Sequence, residues 1–449
     1  MTMRPLTDNL PPTPLEKFGY DEKSIGDLLR VSDIDINSLK SDNGSSLLVF
    51  PNSFAQDEQD LGRQSIIHLH LSDGSLSTGN IMGFVGVNDT RLTIKSRFAK
   101  EDKEDYFLHY LLMRVFNINL FDLKHTTASD AVFDFLMYMF PHFLKKALRQ
   151  GLYKNYIRNE YNDSNVKGRI TVNRHIRQNI PFLGSIAYET REFSYDNNVT
   201  QLVRHTIEYI KGTVIGQNVL RNDVETSECV SAICNATPTY SKNQRHSIMM
   251  RNTRPVSHPY FSEYTALQKI CMRILRHESI KYGNEKDKVY GVLFDGAWLW
   301  EEYLNTFLQR EGFVHPQNKM KKGGMRMFVD TDFSDKNYQT MYPDFYCEDF
   351  VLDAKYKHLN GTVGRDDLYQ VVSYMYCMNA RYGGYAYPND GNNTLKKYKL
   401  RGVGQNFEKD SGGMIFVFPF DVPTTTQSWD DFSREMKESE RKFIELLKR

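Results

Sequence analysis

The 449 residues carry 57 Lys and Arg against 56 Asp and Glu, a net charge of +1, with 40% hydrophobic and 13% aromatic residues. That apolar and aromatic content excludes a disordered chain, and the balanced charge is unlike that of a protein that coats bare DNA. At roughly 100–200 residues per domain, the length predicts two to four domains.

Five cysteines without a CxxC pair argue against a disulfide framework or zinc ribbon and fit a reducing cytoplasm. The N-terminal MTMRPLTDNLPPTP has no apolar h-region, so no signal peptide is expected. No run of about 18 apolar residues exists, so no membrane span is expected.

Residues 1–15 are polar and proline-rich and read as a loose tail, and 16–45 as short helical patterns between turns. From 46 to 98 the runs SLLVF, SIIHLHL, NIMGFVGV and RLTIKSRF alternate with SDGS, STGN and VNDT, which is strand-and-turn chemistry. DYFLHYLLMRVF and AVFDFLMYMFPHFLKKALRQGLY have helical spacing, with Pro141 expected to kink or divide the second. Residues 161–200 read as polar and irregular, and VTQLVRHTIEYIKG as a helix ending at Gly212. Residues 236–258 read as a basic loop, with Lys242, Arg245, His246, Arg251 and Arg254, followed by the helix SEYTALQKICMRILRHES.

From 285 the expected order is helix (LWEEYLNTFLQRE), strand (YPDFYCE), strand (FVLDAKYKH), helix (RDDLYQVVSYMYCMNA), strand (GGYAYP), strand (MIFVFPF) and a charged closing helix. The expected organisation is therefore a multidomain α+β protein. It has an N-terminal tail (1–45), a β-rich module (46–125) suited to partner docking, a mainly helical middle region (126–284) and a C-terminal α/β unit (285–449).

The chemistry concentrates in that last unit. Side chains alternate along a strand, so Phe350, Leu352, Ala354 and Tyr356 face a core while Asp353, Lys355 and Lys357 face the other way. Asp344, after Pro343, comes from the preceding strand and lies within reach if the two strands form a hairpin. Two carboxylates suit a hard divalent cation such as Mg²⁺, and a neighbouring lysine suits charge building on a phosphorane. A surface hairpin with an ordinary ion pair gives the same loose pattern.

The flanking helices add context. Trp300, Tyr303, Leu304, Phe307 and Leu308 form an apolar stripe that Glu301 borders, while Glu302 is expected to face water. Glu301 is the candidate third carboxylate and metal ligand. Gln370 and Tyr374 stand one turn apart on the following helix, suited to touching DNA or bracing the site.

The order of a Glu-bearing helix, a PD strand, a DxK strand and a QxxxY helix resembles the PD-(D/E)xK nuclease superfamily and its RecB-like branch. The stretch from Tyr153 through Gly168-Arg169-Ile170, YETREFSYDNNVTQLVR, LWEEYL and DAKYK are similar to the McrC family, over roughly residues 45–420. That resemblance implies a restriction-endonuclease-like nuclease domain, with Asp344 and Asp353 as metal ligands, Lys355 as catalytic lysine, and Glu301, Gln370 and Tyr374 in support. It implies Mg²⁺, with Mn²⁺ as a substitute, and DNA as substrate. It further implies a hexameric AAA+ NTPase partner, usually a GTPase, docked through the N-terminal half and stimulated by this chain. The absence of GxxxxGK[ST] fits a motor on another subunit. A stand-alone endonuclease and a non-catalytic activator of the motor are the alternatives. His68 and His70 read as a plain strand pair. Lys319, Lys321 and Lys322 before Gly323-Gly324 read equally as a DNA-facing segment or a turn.

Overall fold

A computed structural model describes residues 4–41, 46–51, 64–88, 90–99, 104–116, 128–213, 216–221, 223–280, 289–316, 324–329, 337–359, 363–391, 393–400 and 413–448. Lys319, Lys321 and Lys322 lie outside these. The chain forms two compact units, Met1–Val132 with Glu285–Arg449, and Phe133–Asn284.

In chain order the first segment holds β1 (Leu6–Thr7), β2 (Thr13–Pro14), α1 (Glu22–Leu28), α2 (Ile36–Ser41), β3 (Ser46–Phe50), β4 (Ile67–His70), β5 (Ser75–Thr78), β6 (Ile81–Val87), β7 (Thr90–Lys95), α3 (Tyr106–Phe116) and α4 (Ala128–Arg149). The proline-rich tail is not loose. β1 pairs with β7 and β2 with β5, and Leu6 is fully buried, because one large apolar side chain and two short ladders suffice to anchor it. α4 runs on through Pro141. His68 and His70 share a strand, and their ring nitrogens meet Asp33 and Ser77.

The second unit follows with β8 (Asn155–Asp163), β9 (Arg169–Ile170), α5 (Val172–Gln178), β10 (Ile186–Ser194), α6 (Asn198–Lys211), α7 (Gly216–Leu220), α8 (Val224–Ala236), α9 (Arg245–Arg251) and α10 (Glu263–Ile280). Two expectations are corrected here. The irregular stretch 161–200 contains an antiparallel ladder in which Ile186–Ser194 pairs residue for residue with Asp163–Asn155. Its strands are too polar to show alternation, so pairing rather than pattern makes them strands. The basic loop contains α9, where the Arg245 guanidinium lies over the Tyr209 ring at 5.3 Å.

The chain then returns with β11 (Val289–Asp295), α11 (Gly296–Leu308), β12 (Met325–Val329), β13 (Asn337–Met341), β14 (Phe345–Cys347), β15 (Phe350–Ala354), α12 (Arg365–Met378), β16 (Tyr382–Asn389), β17 (Lys396–Lys399), β18 (Met414–Asp421) and α13 (Trp429–Leu447). β11 inserts between β6 and β3 in the sheet order β1-β7-β6-β11-β3. The stretches 46–125 and 285–449, set apart on sequence, therefore share a sheet and a core. Close approach is what Gly83 provides, with φ +127°: a Cβ there would lie 2.1 Å from the Val292 carbonyl.

The other five-stranded sheet has the order β14-β15-β16-β18-β17, with β15, β16 and β18 parallel and the outer strands antiparallel. α12 packs Val371 and Met375 onto Tyr385, Tyr387, Ile415 and Val417. α11 begins at Asp295, whose carboxylate accepts from Ala297 and Trp298 N–H groups. It buries Trp300, Tyr303, Leu304, Phe307 and Leu308, the stripe expected from spacing. The Trp300 indole N–H donates to the Ala386 carbonyl at 3.2 Å, which fixes the helix to β16.

Candidate active site

The site is built where β14 and β15 meet. Phe345 opposes Leu352 and Cys347 opposes Phe350. The same register places Asp344 opposite Asp353. The Ala354 N–H donates to Asp344 Oδ2 at 2.8 Å, so one carboxylate oxygen closes the end of the hairpin.

β15 ends there for a covalent reason. The Lys355 N–H still donates to the Ala386 carbonyl at 2.9 Å. The next parallel-ladder bond would come from Pro388, which has no N–H.

Asp353 is 2% exposed. Lys355 Nζ stands 2.7 Å from its Oδ2. That ammonium is the charged partner of the buried oxygen. Burial and the Asp344 charge hold the Asp353 pKa above the ordinary carboxylate range against the pull of Lys355. For Lys355, burial opposes the charge, but Asp353, Asp367 and Asp344 outweigh it and its pKa is raised.

Three side chains of α12 complete this face. Lys355 Nζ is 3.2 Å from Asp367 Oδ1 and donates to Gln370 Oε1 at 3.3 Å. Gln370 Nε2 donates to the Tyr374 hydroxyl at 2.9 Å, which donates to the Tyr342 carbonyl at 3.3 Å. Gln370 and Tyr374 thus brace the lysine and the strand entry. Asp367 also pairs with Lys357 at 2.5 Å, and its carbonyl accepts from the Tyr385 hydroxyl at 2.5 Å. Asp367 was missed on sequence, although Asp367, Gln370 and Tyr374 at i, i+3 and i+7 share one helix face.

α11 contributes differently from expectation. Glu301 is buried. Glu302, expected to face water, is only partly exposed and lies 3.9 Å from His315 Nε2. His315 Nδ1 donates to the Asp344 carbonyl at 2.7 Å, and its ring stacks on Phe345 at 4.6 Å. Burial lowers the His315 pKa, but Glu302 and the Asp344 carbonyl outweigh it and raise it. No local pattern marked His315, because its partners come from two other segments.

Among the described residues, no group of three or more His, Cys, Asp or Glu side chains is arranged to hold a metal ion. The hairpin brings Asp344 and Asp353 together. A pair is still a fitting donor set for Mg²⁺, which is commonly held by one or two carboxylates together with waters and substrate phosphate. The buried Asp353 carboxylate, close enough to Asp344 for the two charges to oppose each other, is chemistry that a hard cation satisfies.

A family model, McrBC 5-methylcytosine restriction system component, matches residues 76–388, well over half of the chain. The chain belongs to the McrBC family. None of the curated proteins compared with it matches. Among solved structures it is similar to a chain of the refined half-complex of Thermococcus gammatolerans McrB AAA+ hexamers with bound McrC. The identity is 16% over 96% of this chain and 98% of that chain, with a TM-score of 0.44. A second similar structure is the cryo-EM McrBC complex of Thermococcus gammatolerans, at 15% identity over 68% of this chain and 87% of that chain, with a TM-score of 0.33. Among the described residues of this McrBC-family chain, no helix is long and apolar enough to cross a membrane.

Proposed function

We propose that this chain is the DNA-cleaving subunit of a McrBC-type restriction system, a metal-dependent endodeoxyribonuclease with a PD-(D/E)xK, restriction-endonuclease-like C-terminal sheet. One observation carries the reading: Asp344 and Asp353 face each other across a hairpin, with Lys355 Nζ 2.7 Å from a buried Asp353 oxygen. The β14-β15-β16-β18 order between α11 and α12 supports the same class.

In this reading Asp344 and Asp353 would hold Mg²⁺, for which Mn²⁺ substitutes, with Glu301 as the candidate third carboxylate. A divalent ion held there would supply polarisation of the scissile phosphate and activation of water for attack. Lys355 donates to a non-bridging phosphate oxygen as charge builds there. Asp367 and Gln370 aim the lysine, and Tyr374 ties their helix to the strand that delivers Asp344.

The partner in this reading is a hexameric AAA+ NTPase of the GTPase type, which supplies movement and much of the grip on DNA. Exposed Ile170, Ile176, Ile180, Phe182 and Leu183 all fall in the stretch from β9 through α5 to the start of β10. An apolar surface of this kind suits a protein contact. It moves the expected docking surface from the β-rich module to the Phe133–Asn284 unit.

The test is cleavage of plasmid DNA, with and without 5-methylcytosine, by the chain with Mg²⁺, alone and with a McrB-type AAA+ protein and NTP. Cleavage only in the full mixture, lost in Asp353→Ala, supports the reading. Cleavage by the chain alone turns it to an autonomous endonuclease. Stimulation of the NTPase without any cleavage turns it to a non-catalytic activator.

A further inference from the structure

Lys355 has a long flexible stem, so the place of its Nζ depends on how firmly its own backbone is held. On one side the β15–β16 ladder holds it. On the other the ladder has stopped at Pro388, and the next residue is Tyr356.

Tyr356 turns away from the lysine and is 5% exposed. The Arg97 guanidinium lies over its ring at 4.8 Å, and the Phe98 ring meets its edge at 5.3 Å. Its hydroxyl is 2.9 Å from Ser96 Oγ and 3.3 Å from Met82 Sδ. A Cβ at Gly296 would stand 2.4 Å from the ring, so the first residue of α11 must be this small. Arg97 Nη1 also donates to the Tyr356 carbonyl at 3.3 Å, serving the backbone acceptor just past the ladder.

Arg97 is itself immobilised. Its backbone N–H donates to Asp8 Oδ1 at 2.6 Å, and its Nε and Nη2 donate to Asp8 Oδ2 at 2.9 and 2.5 Å. Nη2 also donates to Asn80 Oδ1. The Asp8 side chain is fully buried, and such a two-pronged pairing fixes the plane of the guanidinium as well as its position.

We propose that Arg97, locked by Asp8, is a positioning residue for Lys355 that acts through Tyr356. The residues that follow β1 and β7 thereby set where the lysine sits. The proposal rests on the nuclease reading above.

The test measures kcat and KM for plasmid cleavage by the assembled complex, with wild type, Arg97→Lys, Tyr356→Phe and Lys355→Ala. DNA affinity without metal and melting temperature are measured beside them. The expected result is a kcat lowered about 10-fold or more in Arg97→Lys and Tyr356→Phe, the usual size of an outer-shell loss. KM and metal-free DNA affinity stay close to wild type, and the melting temperature shows that each variant is folded at the assay temperature. If Arg97→Lys does not fold, Asp8→Asn decides, because it loosens the guanidinium while leaving Arg97 and Tyr356 in place. Unchanged kcat in the folded variants, or a change confined to KM, with Lys355→Ala inactive, overturns this proposal alone. A wild type that cuts nothing, or a Lys355→Ala that cuts at the wild-type rate, overturns the nuclease reading and this proposal with it.

Discussion

Asp367 holds Lys355 from the helix side, its Oδ1 3.2 Å from the lysine Nζ, while Asp353 approaches the same nitrogen at 2.7 Å. The lysine is therefore fixed between a strand carboxylate and a helix carboxylate. Its charge is stabilised by both, and its direction is set by the pair.

Removing the helix carboxylate tests that arrangement. Asp367→Asn is expected to slow DNA cleavage about 10-fold, since it frees Lys355 and Lys357 together while leaving Asp344 and Asp353 in place. Initial cleavage rates at saturating DNA measure it. A rate equal to that of wild type would show that Asp353 and Gln370 alone suffice.

Lys355→Ala removes the donor to the developing phosphorane charge. The expected loss is about 10²–10³ in kcat, as for other single donors at such a position. Single-turnover cleavage reads it directly, and a loss below ten-fold would deny the lysine this role.

Asp353 trades stability for chemistry. Its pKa is raised, chiefly by burial and then by Asp344, so the fold disfavours its charged form. The cost is present at high pH, shrinks as pH falls toward 4 and is gone well below the unfolded value of 3.8, where the group is protonated folded and unfolded alike. Asp353→Asn should therefore melt higher than wild type at pH 8 without added metal, with the gap closing toward pH 4, and should not cut DNA. Melting curves across that range decide it, and a variant less stable at pH 8 would contradict the buried-charge account.

Asp105 gives a second pH effect away from the site. Burial pushes its pKa up from 3.8 to about 6, against hydrogen bonds from the Leu108 and Ser96 N–H groups. Well below 3.8 it is protonated in both states. Between 4 and 6 the folded protein binds a proton that the unfolded chain has released, so stability falls with rising pH, by ~3 kcal/mol in all. Denaturant unfolding of wild type and Asp105→Asn at several pH values should show this component only in wild type. Parallel profiles would remove it.

Leu183 is 88% exposed, the most exposed large apolar side chain among those described. Leu183→Asp should weaken binding to the AAA+ partner about 10-fold or more while leaving the melting temperature unchanged, as expected for an anchor at an interface. Co-sedimentation with the partner tests it, and full binding by the variant would move the docking surface elsewhere.

The sequence by itself determined what covalent periodicity determines. Alternation along β15 put Asp353 and Lys355 on one face, and helical spacing put Gln370 beside Tyr374 and buried Trp300 with Phe307. Only the tertiary structure decided the rest. It inserted β11 between β6 and β3, paired the polar strands β8 and β10, and anchored the N-terminal tail through Leu6 and Asp8. It also turned Glu302 toward His315, where helix spacing alone had favoured water. Spacing states which side chains share a face of one element. Which distant segment meets that face depends on register and shape complementarity between stretches far apart in the chain, as with Ser96 and Tyr356, and no local pattern encodes that meeting.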